Sequence, residues 1–595
     1  MMGGRKMFAE SHPALAKRVE SAQAAQGDLA EWKGRTADAE RLLARWLEGK
    51  RFPHDSAIAV SGVGDGSHVK ALLRVLPQDA LVFCAEPDVG RFKAFLSSPA
   101  AESLLRDGRV KFGVGELGDE FFNTLAFDGI VDFTNAEPLI FAPIFNEAEE
   151  YYGRFFQEFA QQLELWRKLF GTNLTKSGLW QGNSFKNFNT LIRTPDPLEF
   201  GDHFKGLPMI MAGAGPSLNE SLEFLRWAQD RAVIVAGNSS IRALVNGGVR
   251  PHFVLAADPY ETTDRGFEGV DLGDTMLLCP FMVYPDVVKR FEGRISAWSH
   301  NNRVATYFRK VIGKERLAHV AEQGTISACA FDFAIMFGCS SLFFVGQDLA
   351  ARADGLMHAS DSFYADDGPD KAVLGRCRWL PGNTIEKVPV EEKLFVYLKT
   401  FEQLSRIYSK ELKIKNRDQL KVFNLSRLGA RIEHMPYLEF EEAKGMIETA
   451  GVGGVAKGWS DVQKVLAEHH VGWGRVGKVL REFRGYVEEI CSHALRTALA
   501  MEQGDTLTLE SAEAEKEKSD ALIGFNDEFF EILNDGELKM ELYVQNRAVT
   551  RQRRRSSSDV AADRLEELKG YFWAVAEGSY SVLSSIDSAR ETQKV

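Results

Sequence analysis

The chain has 595 residues, of which 45% are hydrophobic and 26% charged, with a formal net charge of −12. That length implies about three or four folded units, and the composition excludes a disordered or fibrous chain. The acidic balance excludes a globally basic surface of the kind that attracts nucleic acid or anionic lipid.

The start, MMGGRKMFAESHPALAKRVE, lacks the apolar core of a secretory signal, and no run of about 18 apolar residues follows it. A cytoplasmic protein without a membrane span is expected. Residues 1–55 are charged and Ala-rich with Leu and Trp at helical intervals, which predicts helices. From 56 to 143 a first α/β unit is expected: the apolar run Ala57–Ser61 ends in Gly62, a helical segment spans His68–Leu76, and a second strand, Ala80–Ala85, ends at Glu86-Pro87-Asp88. Glu86 or Asp88 stands where a dinucleotide fold carries its ribose ligand.

Phe145, Tyr152, Phe156, Phe159, Leu163, Trp166 and Phe170 recur at three- and four-residue intervals, so 144–200 reads as a helical connector. A larger α/β domain follows over 201–438, with strands predicted at Met209–Ala212, Val233–Ala236, Phe253–Ala257, Met276–Cys279 and Leu342–Val345. Strand signals vanish after about Glu439, and Val476, Val479, Leu480, Phe483, Val487 and Ile490 trace a helical stripe, so 439–595 reads as all-helical. The fold class is thus α/β: two Rossmann-like doubly wound domains followed by a helical C-terminal domain. Within the last region, Arg551–Ser558 is basic and Ser-rich and reads as a solvated surface or a contact for an acidic partner. Six cysteines lie far apart without a Cys-x-x-Cys pair and are expected to be reduced thiols, mostly in the core.

The strongest local signal is Gly213-Ala214-Gly215-Pro216-Ser217, between a predicted strand and the helix Asn219–Ala228. Glycines let the backbone approach a ligand, and a helix N-terminus offers unpaired N–H groups to a phosphate, with Ser217 as a capping hydroxyl. The bland alternative is a tight strand-to-helix turn. Asn238 and Ser239, and then Asp258, end the next strands, where a doubly wound sheet binds ligands; each also suits a turn or cap. Gly324-Thr325 precedes an apolar helix, and Gly346-Gln347-Asp348 ends a buried strand, so that Asp258 and Asp348 are expected to converge on one pocket. Arg352 and His358 follow in a loop of the kind that forms lids. An imidazole titrates near neutral pH, which suits His358 to take a proton from an attacking hydroxyl, although a loop histidine can equally be merely solvated.

Met211–Leu218, Ala236–Ser240, Ala257-Asp258-Pro259 and Val345–Ala350, with a histidine soon after, resemble the central domain of the motility-associated factor (Maf) glycosyltransferases. Gly62–Gly66 with Glu86–Asp88, Trp180–Asn189, and Phe401-Glu402 through Asn424 to Gly429-Ala430 fit the same pattern, so the resemblance covers roughly residues 55 to 435. It implies transfer of a nonulosonic acid, of the pseudaminic or legionaminic type, from a CMP-linked donor to Ser or Thr of flagellin, for flagellum assembly and motility. The central domain is also similar to bacterial sialyltransferases. By that similarity Gly213, Gly215, Ser217 and Asn238 would contact CMP, Gly346 and Asp348 would lie by the nucleotide or sugar, and His358 would be the base. Two positions depart: Asp258 stands where those enzymes have asparagine, and Ala350 stands where they have a tyrosine that assists the departing phosphate. Arg352 is the candidate to replace that tyrosine.

Two other readings stay open. The central domain also resembles archaeal 6-hydroxymethylpterin diphosphokinases, whose chemistry would call for ATP and a divalent metal with Asp258 and Asp348 as ligands. The missing tyrosine equally permits a non-catalytic flagellin-binding protein. No cofactor is firmly implied beyond the donor substrate.

Overall fold

The computed structural model describes residues 13–22, 39–49, 52, 56–77, 80–118, 121–122, 135–299, 302–314, 316–321, 324–364, 370–411, 419–449, 453–469, 471, 473–503, 508–534, 536, 538–539, 541–546 and 560–591. The basic run at 551–558 lies outside them. Two compact units divide the chain, Met1–Thr175 and Lys176–Val595.

In the first unit, β1 (Ser56–Ser61), β2 (Leu81–Glu86), β3 (Val110–Val114) and β4 (Asn135–Leu139) form a parallel sheet in the order β3-β2-β1-β4. Every residue of β1 and β2 is buried, which is why these strands read as unbroken apolar runs rather than as alternating ones. The predicted helix is present as Ser67–Val75. Gly62 turns the chain with φ of 66°. A Cβ there would lie 2.3 Å from Ile144 Cγ2 and 2.9 Å from Tyr152 Oη, so its turn is closed by the domain's own side chains. Glu86 is fully buried and accepts hydrogen bonds from the N–H groups of Val63 and Asp88; burial pushes its carboxyl up to about 7. Asp88 caps the helix Val89–Phe95 by accepting from Gly90 and Arg91 N–H. Both acids singled out as ribose ligands are therefore engaged in holding the turn and the helix. A 43-residue helix, Glu149–Leu191, follows and runs well past the stripe that predicted it.

The second unit is built on a seven-stranded parallel sheet: β5 (Pro208–Ala212), β6 (Val233–Gly237), β7 (Phe253–Leu255), β8 (Met276–Pro280), β9 (Ile295–Trp298), β10 (Ser341–Val345) and, after the hairpin β11 (Arg378–Pro381) and β12 (Lys387–Val390), β13 (Lys421–Asn424). Its order is β13-β10-β5-β6-β7-β8-β9. The five strands predicted in this region are present to within about two residues at each end; β9, β13 and the hairpin carry weaker apolar signals and were not anticipated. Because side chains alternate across a sheet, Ile210, Ala212, Ile234, Ala236, Phe343 and Val345 face one core, which includes Phe483 and Phe572 of the C-terminal helices. Met209, Met211, Val233, Val235, Leu342 and Phe344 face the other, which includes Phe331, Phe401 and Val462. Beyond Glu439 the described elements are helices only, the longest being Trp473–Glu502 and Val560–Glu591.

Among the described residues no helix is long and apolar enough to cross a membrane. None of the six cysteines is in a disulfide; Cys84, Cys279, Cys329 and Cys339 are buried, while Cys377 and Cys491 are half-buried.

Candidate active site at the sheet's switch point

Strand order decides where a ligand can sit. β5 lies between β10 and β6. The helix after β5, Leu218–Ala228, turns Leu218, Phe224, Leu225 and Ala228 into one core, while the helix Glu392–Arg406, reached after β10, turns Leu398, Phe401 and Leu404 into the other. The connections thus leave adjacent strands toward opposite faces, which opens a crevice at the carboxyl ends of β5 and β10.

Both glycine-bearing turns occupy that crevice and touch each other. Gly213 N donates to Val345 O and Gly215 N to Gly346 O, each at 2.8 Å. A Cβ on Gly213 would lie 2.6 Å from Gly346 O, and one on Gly215 2.2 Å from Asp348 Oδ2. The glycines are therefore demanded by the approach of one turn to the other, with or without a ligand. Ser217 does not cap the following helix with its side chain. Its N–H and hydroxyl both donate to Asp348 Oδ2, at 3.1 and 2.9 Å. Asp348, 5% exposed, is a buried anchor beneath the turn. Gln347 is buried with its Oε1 against Gly213, and its N–H donates to Ser426 Oγ. Gly429 packs on the backbone of Asp348, and Ala430 N donates to its carbonyl.

Burial pushes the Asp348 carboxyl up to about 6, against the opposing hydrogen bonds from Ser217 and the attraction of Arg352. The folded chain consequently holds this proton more tightly than the unfolded chain. Stability is lost as pH rises from about 4 to about 6, and the full loss, roughly 3 kcal/mol for a carboxyl moved this far, persists above that window. Relative to the parent, Asp348→Asn should therefore gain stability as pH rises from 4.5 to 7.5. Denaturation midpoints of the two proteins at both pH values check this, and a difference that does not change with pH would contradict it.

Residues 352–364 lie over the mouth of the crevice. Ala359 N donates to Ala214 O at 2.9 Å and Phe363 N to Ser239 O at 3.0 Å, which docks the loop on the ends of β5 and β6. Arg352 Nη2 reaches Pro216 O at 3.2 Å and Glu220 Oε1 at 2.5 Å, so a guanidinium stands at the N-terminus of Leu218–Ala228 beside the turn. The ring of His358 stacks on Tyr364, centroids 4.5 Å apart. Leu349, between Asp348 and the loop, has φ of 50°, which a non-glycine residue adopts only where its surroundings enforce it.

The other candidates stand around this centre. Asn238 is half-exposed after β6, its N–H donating to Leu255 O. Thr325 precedes a 3-10 turn whose Ile326 approaches Gly237 at the β6 end, whereas Gly324 is exposed with φ of 77°. Asp258 is exposed after β7. Since β5 and β6 separate β7 from β10, three strand spacings, roughly 14 Å, lie between the strands that carry the two aspartates. The expected convergence of Asp258 and Asp348 is not observed, because adjacency in the sheet does not follow sequence order. Among the described residues no three His, Cys, Asp or Glu side chains gather as a metal-binding group.

Several contributors escaped the sequence reading. Glu220 and Ser426 carried no local signal. Ser240, whose hydroxyl donates to Ala212 O at 2.8 Å and ties β6 to β5, sits in the same run as Asn238. Tyr364 lies six residues beyond His358 in the same loop.

The comparisons with known proteins bear on the fold that carries this crevice. The family described as 6-hydroxymethylpterin diphosphokinase MptE-like matches residues 182–354, which span β5 to β10 and end just past Arg352. No curated protein matches the sequence. A solved structure described as a Maf glycosyltransferase from Magnetospirillum magneticum AMB-1 superposes with a TM-score of 0.50 at 16% identity, over 99% of this chain and 94% of that one. The chain therefore has the fold of the Maf glycosyltransferases, with an MptE-like segment at its central sheet.

Proposed function

We propose that the chain is a glycosyltransferase that moves a nonulosonic acid from a CMP-linked donor to a Ser or Thr hydroxyl of flagellin in the cytoplasm. The observation that carries this reading is the docking of the 352–364 loop, with Arg352 and His358 on it, over the glycine turn at the switch point. A phosphate at that turn meets the helix N-terminus and the guanidinium of Arg352, which exchanges Glu220 or the Pro216 carbonyl for it. Asn238 and Ser239 border the same mouth and serve the nucleotide. The acceptor oxygen attacks the anomeric carbon while the bond from that carbon to the phosphate oxygen breaks. CMP leaves with the bonding pair, stabilised by Arg352, and the acceptor proton passes to His358. Asp348 acts indirectly, by holding Ser217 and the turn in place.

Thermal unfolding with millimolar CMP, CTP, ATP and GTP, each with and without Mg²⁺, tests the reading. A ligand at 100 times its dissociation constant adds about 2.7 kcal/mol, so cytidine nucleotides should raise the melting temperature measurably without metal. The match to the MptE-like family supports a second reading, ATP-dependent diphosphoryl transfer; a response to ATP only with Mg²⁺ would favour it over the first. Flagellin binding with no nucleotide response would favour a non-catalytic role.

A further inference from the structure

Beyond β13, on the side away from β5, a cavity of about 860 Å³ opens whose wall includes Asn383, Lys410, Arg431, Glu433, His434 and Tyr437. It adjoins the crevice through one loop. Ala430 N donates to Asp348 O, and the N–H of the next residue, Arg431, donates to Pro381 O of the hairpin, both at 2.8 Å. Ile432 and Met435 then pair across a tight turn with Glu433 and His434 at its tip. His434 has φ of 64°, a conformation uncommon for a residue with a side chain. The turn brings its Nδ1 within 2.8 Å of Lys410 Nζ, which has only protons to offer and so donates. Arg431 has no carboxylate partner among the described residues.

We propose that this cavity binds a carboxylated sugar, with the carboxylate held by Arg431 and Lys410 and the ring against Tyr437. Arg431 and Lys410 supply the wall's positive charge beside one lining carboxylate, Glu433; of the acids behind it, Glu402 is ion-paired to Lys399 and accepts from Glu433 N–H, and Glu439 accepts from the Tyr437 hydroxyl. The guanidinium fork matches a carboxylate in two parallel hydrogen bonds. Asn383 gives its Nδ2 to Ser426 O at 2.8 Å and keeps its amide oxygen for a sugar hydroxyl. The volume is that of a small-molecule site. The identity of the sugar rests on the transferase reading above; the anion site rests on the residues.

Titration calorimetry of the full chain with N-acetylneuraminic acid, its methyl ester and inorganic phosphate tests this, with the CMP melting response recorded on the same proteins. Expected is binding of the acid, at least about tenfold weaker binding of the ester, and a loss of at least about tenfold for the acid in Arg431→Ala, partly restored in Arg431→Lys. Arg431 is exposed, so the variants should fold as the parent does. Equal binding of acid and ester, phosphate binding as tight as the acid, or an unchanged affinity in Arg431→Ala would each overturn the proposal. If CMP raises the melting temperature but the acid does not bind, the cavity assignment fails alone. If the acid binds through Arg431 with no CMP response, the assignment stands and the transferase reading fails.

Discussion

Gly346→Ala should destabilise the second unit by about 2–5 kcal/mol and remove any response to nucleotide. Gly346 has φ of 62°, and forcing an L residue there costs about 1–2 kcal/mol. Its new Cβ would also lie 2.4 Å from the carbonyl oxygen of Gly213 and 3.1 Å from Leu218 Cβ. The first of these is backbone at the end of β5, an interior strand of the sheet, which cannot swing aside, so overpacking adds about 1–3 kcal/mol. Relief would come from separating the two turns, which breaks the Gly215 N to Gly346 O bond and disturbs the seat of Ser217 on Asp348. Gly206 supplies the control. Its φ is 79° but nothing lies within 4 Å of a Cβ, so Gly206→Ala should carry only the conformational part. Denaturation midpoints of both variants, with and without CMP, separate the two contributions; equal losses would mean that the contact between the turns matters little.

His358→Ala should reduce transfer from a CMP-linked donor by about 10²–10⁴-fold, the range expected for loss of a positioned general base. The melting temperature and the shift produced by CMP should stay near those of the parent. His358 is half-exposed and its loop is pinned through backbone groups of Ala359 and Phe363, which the substitution leaves intact. The pH dependence of the residual activity is the sharper readout, because a lost base removes the acidic limb of the profile, whereas a misplaced loop would lower activity at every pH. Unchanged transfer would remove His358 as the base and leave Tyr364, stacked on it and 41% exposed, as the nearby group to examine.

Much of the architecture was legible because it rests on local rules. The short, β-branched apolar run Val233–Ala236, bounded by turn residues, reads as a strand covered on both faces, and the stripe from Val476 to Ile490 reads as an amphipathic helix packed along one side. The position of the glycine turn after a strand and before a helix followed from the same reasoning. The weak strands were lost: β13 is four residues long and starts with an exposed Lys421, and β11 is largely exposed, so neither shows a run that periodicity can detect.

What the sequence determined by itself was the inventory: parallel α/β units, a helical end, and a set of polar residues at strand ends. Which of those ends meet was decided by strand order, a long-range property. Insertion of β10 beside β5 rather than beside β9 placed Asp348 under Ser217 and left Asp258 three strands away. The same insertion changed what the glycines are for, since each must admit the opposing turn's backbone or carboxylate. Local propensity acts over a few residues, whereas these contacts join positions 131 residues apart and exist only once the sheet has closed around them.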